Sequence, residues 1–248
     1  MINNGFIDEV SISYENKLVL GKFLARPNRF LAEVEVDSKI VTAHIADPGR
    51  LKELLIPGQL VYLVPKSNLN RKTQWQLLLV KQGETLISLN SQLPNQLIAN
   101  ALQLEKIKEL TGYNYIQPEY TIGSSRIDFA LGKKPKKDNI FVPECVVEVK
   151  SVTLVKDKVA LFPDAPTKRG VKHVKELILL KENGVRAVLL FVVQRIDAYI
   201  VKPNLITDPD FSQTLNNAKT AGVEILAYRT LLTTEKIILK ESIPVVID

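Results

Sequence analysis

Two short segments of this chain place acids and a lysine where they could act on a phosphodiester: Ser125-Arg126-Ile127-Asp128-Phe129 and Val147-Glu148-Val149-Lys150. If both are strands, their side chains alternate between faces with period two. Ile127, Phe129 and Leu131 then point one way and Arg126, Asp128 and Ala130 the other, while Glu148 and Lys150 share a face opposite Val147 and Val149. The pattern buries the apolar side and gathers the charge on the other. A hard divalent cation such as Mg²⁺ takes one or two protein carboxylates and completes its shell with water and substrate phosphate. Asp128 and Glu148 meet that need for Mg²⁺ or Mn²⁺. Lys150 can hold or activate a metal-bound water, or stabilise charge developing on the phosphate. Spacing alone does not decide, because Glu15-Asn16-Lys17 and Asp37-Ser38-Lys39 repeat the acid-x-lysine pattern. An exposed strand-face ion pair of that kind is worth little, so the surrounding elements must discriminate.

The first third of the chain reads as short strands: Lys17 to Ala25, Phe30 to Val36, Ile40 to His44, Gln59 to Val64, Gln74 to Lys81 and Thr85 to Leu89. Turn strings such as Asp37-Ser38, Asp47-Pro48-Gly49 and Pro57-Gly58 separate them. Strands at this pitch suggest a small barrel, OB-like as the leading option and SH3-like as the other. After Asn90 the period changes, and residues 91–248 form a second unit after a barrel of residues 1–90. Helical spacing runs from Pro94 to Leu110, followed by strands Tyr115 to Ile122, Arg126 to Leu131 and Glu144 to Val152. A helix over Thr167 to Asn183, a buried strand over Arg186 to Val193, a helix over Asp208 to Ala221 and a strand over Val223 to Tyr228 complete the order.

Composition excludes several classes. The 248 residues are 46% hydrophobic and 24% charged, which suits a globular fold with a sizeable core. The net charge of +6 permits an anionic partner, but the excess is spread over both halves and marks neither as the binding surface. One cysteine, Cys145, allows no internal disulfide and suits a reducing, cytoplasmic setting. With His44 and His173 as the only histidines, a Cys/His zinc site is not expected. The longest apolar run, Ala187 to Val193, is far short of the ~20 residues that span a bilayer, and Met1 to Gly5 shows no leader pattern, so no membrane partner is expected.

Several further strings converge on one family. Gly112-Tyr113, the Asp128 and Glu148-Val149-Lys150 segments, Ser151-Val152-Thr153-Leu154, Phe162-Pro163-Asp164-Ala165, Thr167 with Arg169-Gly170, Lys172-His173 and Gly222 to Tyr228 resemble the SfsA family, the sugar fermentation stimulation proteins. The match runs in order from about Arg29 to Pro244. The resemblance implies an N-terminal OB-like barrel, a mixed-sheet domain of the PD-(D/E)xK nuclease type, DNA binding, and a proposed nuclease activity. It assigns Asp128 as first acid, Glu148 as second and Lys150 as the lysine, with Ile127 in place of the nominal proline. Where many members have Pro-Asn-Thr-Gly, this chain has Ala46-Asp47-Pro48-Gly49-Arg50, also a turn-forming string.

Other residues admit two readings each. Arg126, Arg169, Lys172 and His173 are candidate nucleic-acid contacts, the last three beside Thr167 at a helix start where N–H groups and cations take phosphate. Solvated charges and a packed histidine are the plainer alternative. Asp164 is a turn residue or a further acid near the metal, Trp75 a core or a base-stacking residue, and Lys133 to Lys137 a solvated loop or a grip on DNA. Glu105 and Glu109 could add an acid or simply face solvent. The expected function is DNA binding, single- or double-stranded, with Mg²⁺-dependent phosphodiester cleavage. A non-enzymatic DNA-binding regulator and an RNA-directed protein are the competing readings.

Overall fold

The computed structural model describes residues 9–66, 73–122, 125–136 and 140–247. After a short strand β1 (Ser11–Ser13) come β2 (Val19–Asn28), β3 (Leu31–Val36), β4 (Lys39–Ile45), β5 (Leu60–Pro65), β6 (Trp75–Gln82) and β7 (Thr85–Ser88). The last six form one sheet in the order β4-β3-β2-β5-β6-β7, and a parallel pairing of β4 with β6 closes five of them into a barrel. β5 returns beside β2, with Val19 opposite Leu63, instead of following β4. That jump is the Greek-key closure of an OB-fold and decides against a simple meander. Phe23, Val34, Ile45, Leu63 and Leu77 fill the interior, and Leu51, Leu54 and Leu55 join the same core from the turn before β5. Trp75 packs against this core, as the plainer reading holds.

The remaining elements are α1 (Leu93–Gln103), a 3-10 turn at Lys108–Leu110, β8 (Tyr115–Ile122), β9 (Ser125–Gly132), β10 (Cys145–Val152), β11 (Val155–Lys156), β12 (Val159–Phe162), α2 (Lys168–Glu182), β13 (Arg186–Val193), β14 (Ile200–Pro203), α3 (Pro209–Thr220), β15 (Glu224–Leu232) and β16 (Lys236–Ser242). The large sheet has the order β1-β16-β15-β13-β10-β9-β8, parallel at β10-β13-β15 and antiparallel outside. Residues 1–90 are therefore not all barrel: β1 crosses to the large sheet and pairs with β16. Such long-range pairing leaves no local trace in a three-residue strand. The short sheet β11-β12-β14 likewise rests on pairing between distant segments.

Alternation along β10 and β13 makes two cores. Val147, Val149, Val188 and Leu190 face α1, whose Leu97, Ile98 and Ala101 cover them together with Leu78 and Leu79 of the barrel. Val146, Leu189 and Phe191 face α2 and α3 through Val171, Val174, Leu177, Phe211 and Leu215. Helix α1 stops at Gln103, seven residues short of the Leu110 expected from periodicity. Glu105 adopts a left-handed conformation (φ 52°), yet Ile107 and Leu110 remain buried in the same core, so the apolar spacing outlasts the helix. Helix α2 starts on Thr167, whose side chain accepts the Gly170 N–H, and α3 on Asp208, which accepts that of Phe211. No helix among the described residues is long and apolar enough to cross a membrane.

Candidate metal and nucleic-acid site

Helices on both sides of β10 turn the expected charged face into a buried one. Glu148 shares its face with Val146 beneath α2, and its side chain is 3% exposed. One carboxylate oxygen, Oε1, accepts from Lys150 Nζ at 2.5 Å and from His173 Nδ1. Arg169 Nε donates to His173 Nε2 at 3.3 Å, which assigns the ring proton to Nδ1 and aims it at Glu148. Lys150 Nζ also lies 3.2 Å from His173 Nδ1. Burial pushes the Glu148 carboxyl up, but the His173 hydrogen bond and the Lys150 charge outweigh it and hold the group below its ordinary value. This is a buried cluster, not the exposed ion pair that spacing alone allows.

Asp128 lies where β9 stops pairing with β10. Pairing with β10 runs from Leu131 to Phe129 and stops there, while on the other side Glu119 of β8 takes a left-handed conformation opposite Asp128. The expected alternation fails at this point: Ile127 packs in the α2 core, whereas Phe129 and Leu131 pack in the α1 core. Asp128 Oδ2 accepts the Val149 N–H at 2.8 Å, and Oδ1 accepts Asn95 Nδ2 of α1 at 2.7 Å. A side chain thus closes the gap left by the ladder. Burial, and then the Glu148 charge, push the Asp128 carboxyl up, against the lowering pull of the Val149 N–H and Lys150.

These carboxylates fit a divalent cation by their own chemistry. Glu148 Oε2 is buried with no hydrogen-bond partner in the protein, a costly state for an acceptor. A cation shared with Asp128 would use that lone pair and offset the repulsion that, after burial, helps raise Asp128. Among the described residues no group of three His, Cys, Asp or Glu side chains forms a fuller cage. Two acids are nonetheless the count that suits a cation keeping waters and substrate oxygens.

The other sequence candidates separate. Arg169 and His173 join the cluster. Arg126 instead pairs with Glu119 at 3.5 Å and Lys172 with Glu176 at 3.5 Å, so neither is drawn to the acids. Asp164 faces the barrel, where Oδ2 accepts the Arg50 N–H at 2.9 Å. Glu109 accepts the Tyr228 hydroxyl and Glu105 the Gly112 N–H, leaving both outside the site. Lys133 pairs with Glu144, and Lys137 lies outside the described residues. Sequence reasoning missed Asn95 and Glu176. Glu176 takes a hydrogen bond from Ser125, and its position three residues after His173 on α2 was the available signal. Asn95 gave none.

Barrel and mixed sheet define a chain of the OB-barrel plus PD-(D/E)xK-like class. A family model described as the SfsA N-terminal OB domain matches residues 24–89, and one described as the sugar fermentation stimulation protein RE domain matches residues 92–236. The chain belongs to the SfsA family. It is 49% identical to a sugar fermentation stimulation protein homolog of Methanobrevibacter smithii, over 88% of this chain and 93% of the relative. The homolog of Moorella thermoacetica is 48% identical over 86% and 89%. Among solved structures, Pyrococcus furiosus SfsA in complex with Ca²⁺ superposes with a TM-score of 0.85 at 31% identity, covering 96% of this chain and 99% of that one.

Proposed function

We propose that this protein is a divalent-metal-dependent DNA nuclease, with Mg²⁺ or Mn²⁺ held by Asp128 and Glu148. The observation that carries the reading is the buried Glu148 carboxylate, engaged through Oε1 by Lys150 and His173 and unpartnered at Oε2, beside an Asp128 raised by burial and then by the Glu148 charge. The Ca²⁺ in the Pyrococcus furiosus relative supports a divalent ion at this fold. Such an ion, when bound, polarises a phosphoryl oxygen and lowers the pKa of water.

The chain's own residues do the rest. Lys150 keeps an ammonium stationed beside the acids, fixed by Glu148, where it can hydrogen-bond an attacking water or the charge that develops on phosphate. His173, oriented by Arg169, holds Glu148 Oε1 and leaves Oε2 for the ion. Arg169 keeps its terminal guanidinium nitrogens for a phosphate.

The test is incubation of purified protein with single- and double-stranded DNA under Mg²⁺, Mn²⁺ or EDTA, beside Glu148→Ala and Lys150→Ala. Metal-dependent cleavage lost in both variants is expected. Cleavage unchanged in the variants would refute the assignment, and salt-dependent DNA binding without cleavage would leave a non-enzymatic DNA-binding protein.

A further inference from the structure

A basic cleft between barrel and mixed sheet shares Arg169 with the Glu148 cluster. It has a volume of about 980 Å³, and Arg26, Arg29, Arg50 and Lys52 line it from the barrel side and Arg169 from α2. Ser151, next in the chain to Lys150, and Thr153 also line it, and Arg169 is the residue bonded to His173.

Two acids, Asp47 and Asp164, also line the cleft. Each spends an oxygen on the loop backbone, Asp47 on the Gly49 N–H at 2.7 Å and Asp164 on the Arg50 N–H at 2.9 Å. Arg26 is committed to the same loop, donating to the carbonyls of Arg50 at 2.5 Å and Arg29 at 2.7 Å. The side chains of Arg29, Arg50 and Lys52 are exposed, and no acid among the described residues pairs with them. The loop therefore holds its own backbone with Arg26 and the two acids, and leaves three cations facing solvent.

We propose that this cleft is the track for single-stranded DNA, delivering a phosphodiester to the Glu148 cluster. The inference rests on the reading of that cluster as a nuclease site and names its substrate class. A single strand suits such a cleft, because its backbone can follow the cations lining a space of about 980 Å³ while its bases stay unpaired. Phe30, next in the chain to Arg29, is an aromatic left 49% exposed on the barrel surface. A ring stacks on a base face only when the base is unpaired, and aromatic platforms beside a cationic groove are how single strands are held without sequence preference.

The test measures binding of labelled single-stranded and duplex DNA of equal length by anisotropy in EDTA, where no cleavage intervenes. Single strands should bind at least about tenfold more tightly than duplex. Arg29→Ala with Arg50→Ala should weaken single-strand binding and reduce the slope of log K against log salt by about 1.4, the loss of two contacts at ~0.7 each. Phe30→Ala should weaken binding about tenfold and Phe30→Trp restore it, while Lys219→Ala on the exposed side of α3 serves as the charge control. Both arginine side chains lack ion pairs, so the melting temperature should not move. Equal affinity for duplex, or an unchanged slope and affinity in the arginine and Phe30 variants, would overturn the proposal. Single-strand preference without cleavage would defeat only the nuclease reading, and cleavage with duplex preference only the track.

Discussion

Glu148→Gln tests whether the cluster is a buried charge network. The substitution keeps the shape and an Oε1 acceptor but removes the charge opposing Lys150, whose side chain is 13% exposed against 3% for Glu148. It also places an NH₂ where Oε2 has no hydrogen-bond partner, adding unsatisfied donors. Breaking a buried pair by removing one member costs about 3–5 kcal/mol, because the remaining charge is uncompensated. One relief works the other way: Asp128 no longer feels the Glu148 charge that helps raise it. Urea unfolding followed by circular dichroism in EDTA at neutral pH should therefore show a loss of about 2–4 kcal/mol. Glu148→Gln combined with Lys150→Met removes both charges and should recover much of it, giving a coupling of at least ~1 kcal/mol in the double-mutant cycle. A loss below ~0.5 kcal/mol with no coupling would be the signature of a solvated surface pair and would refute the buried network.

Metal-free protein should gain stability with added Mg²⁺, Mn²⁺ or Ca²⁺, by about 2.7 kcal/mol at a hundredfold excess over Kd, and calorimetry of Asp128→Asn should show that gain abolished. The pH dependence has two signs in the same site. Glu148, held below its ordinary value, contributes stability present above ~4.5 and lost as pH falls, whereas Asp128, held above its own, stabilises the fold while protonated and loses that contribution as pH rises past its folded value. Acid titration of unfolding free energy in Asp128→Asn should thus keep the loss on acidification and lack the opposing contribution. Asn95→Ala removes the donor to Asp128 Oδ1 and should cost about 1.5 kcal/mol, measured by urea unfolding. Gly49→Ala puts a Cβ 2.6 Å from Asp164 Oδ2 and 2.9 Å from Asp47 Oδ1, an overpacking worth about 1–3 kcal/mol, and Asp164→Ala in the same chain should restore part of the melting temperature.

Much of this protein was written locally. Period-two runs and turn strings named the barrel strands, and the acid-x-lysine of β10 with Asp128 on the preceding strand named the candidate site. Helical spacing announced α2, and the Asp208-Pro209 start announced α3, because a cap is a contact within a few residues. Tertiary structure decided what depends on distant partners. The OB closure rests on β2 meeting β5 and β4 meeting β6, which no window of sequence contains. The burial of Glu148 follows from α2 lying over β10, and its partner His173 arrives from 25 residues away. The switch of faces at Asp128 follows from β9 leaving β10 where the Asp128 carboxylate replaces a ladder bond to Val149. Alternation is a rule for a continuously paired strand, and here the pairing of β9 with β10 ends beside the residue whose carboxylate takes the Val149 N–H.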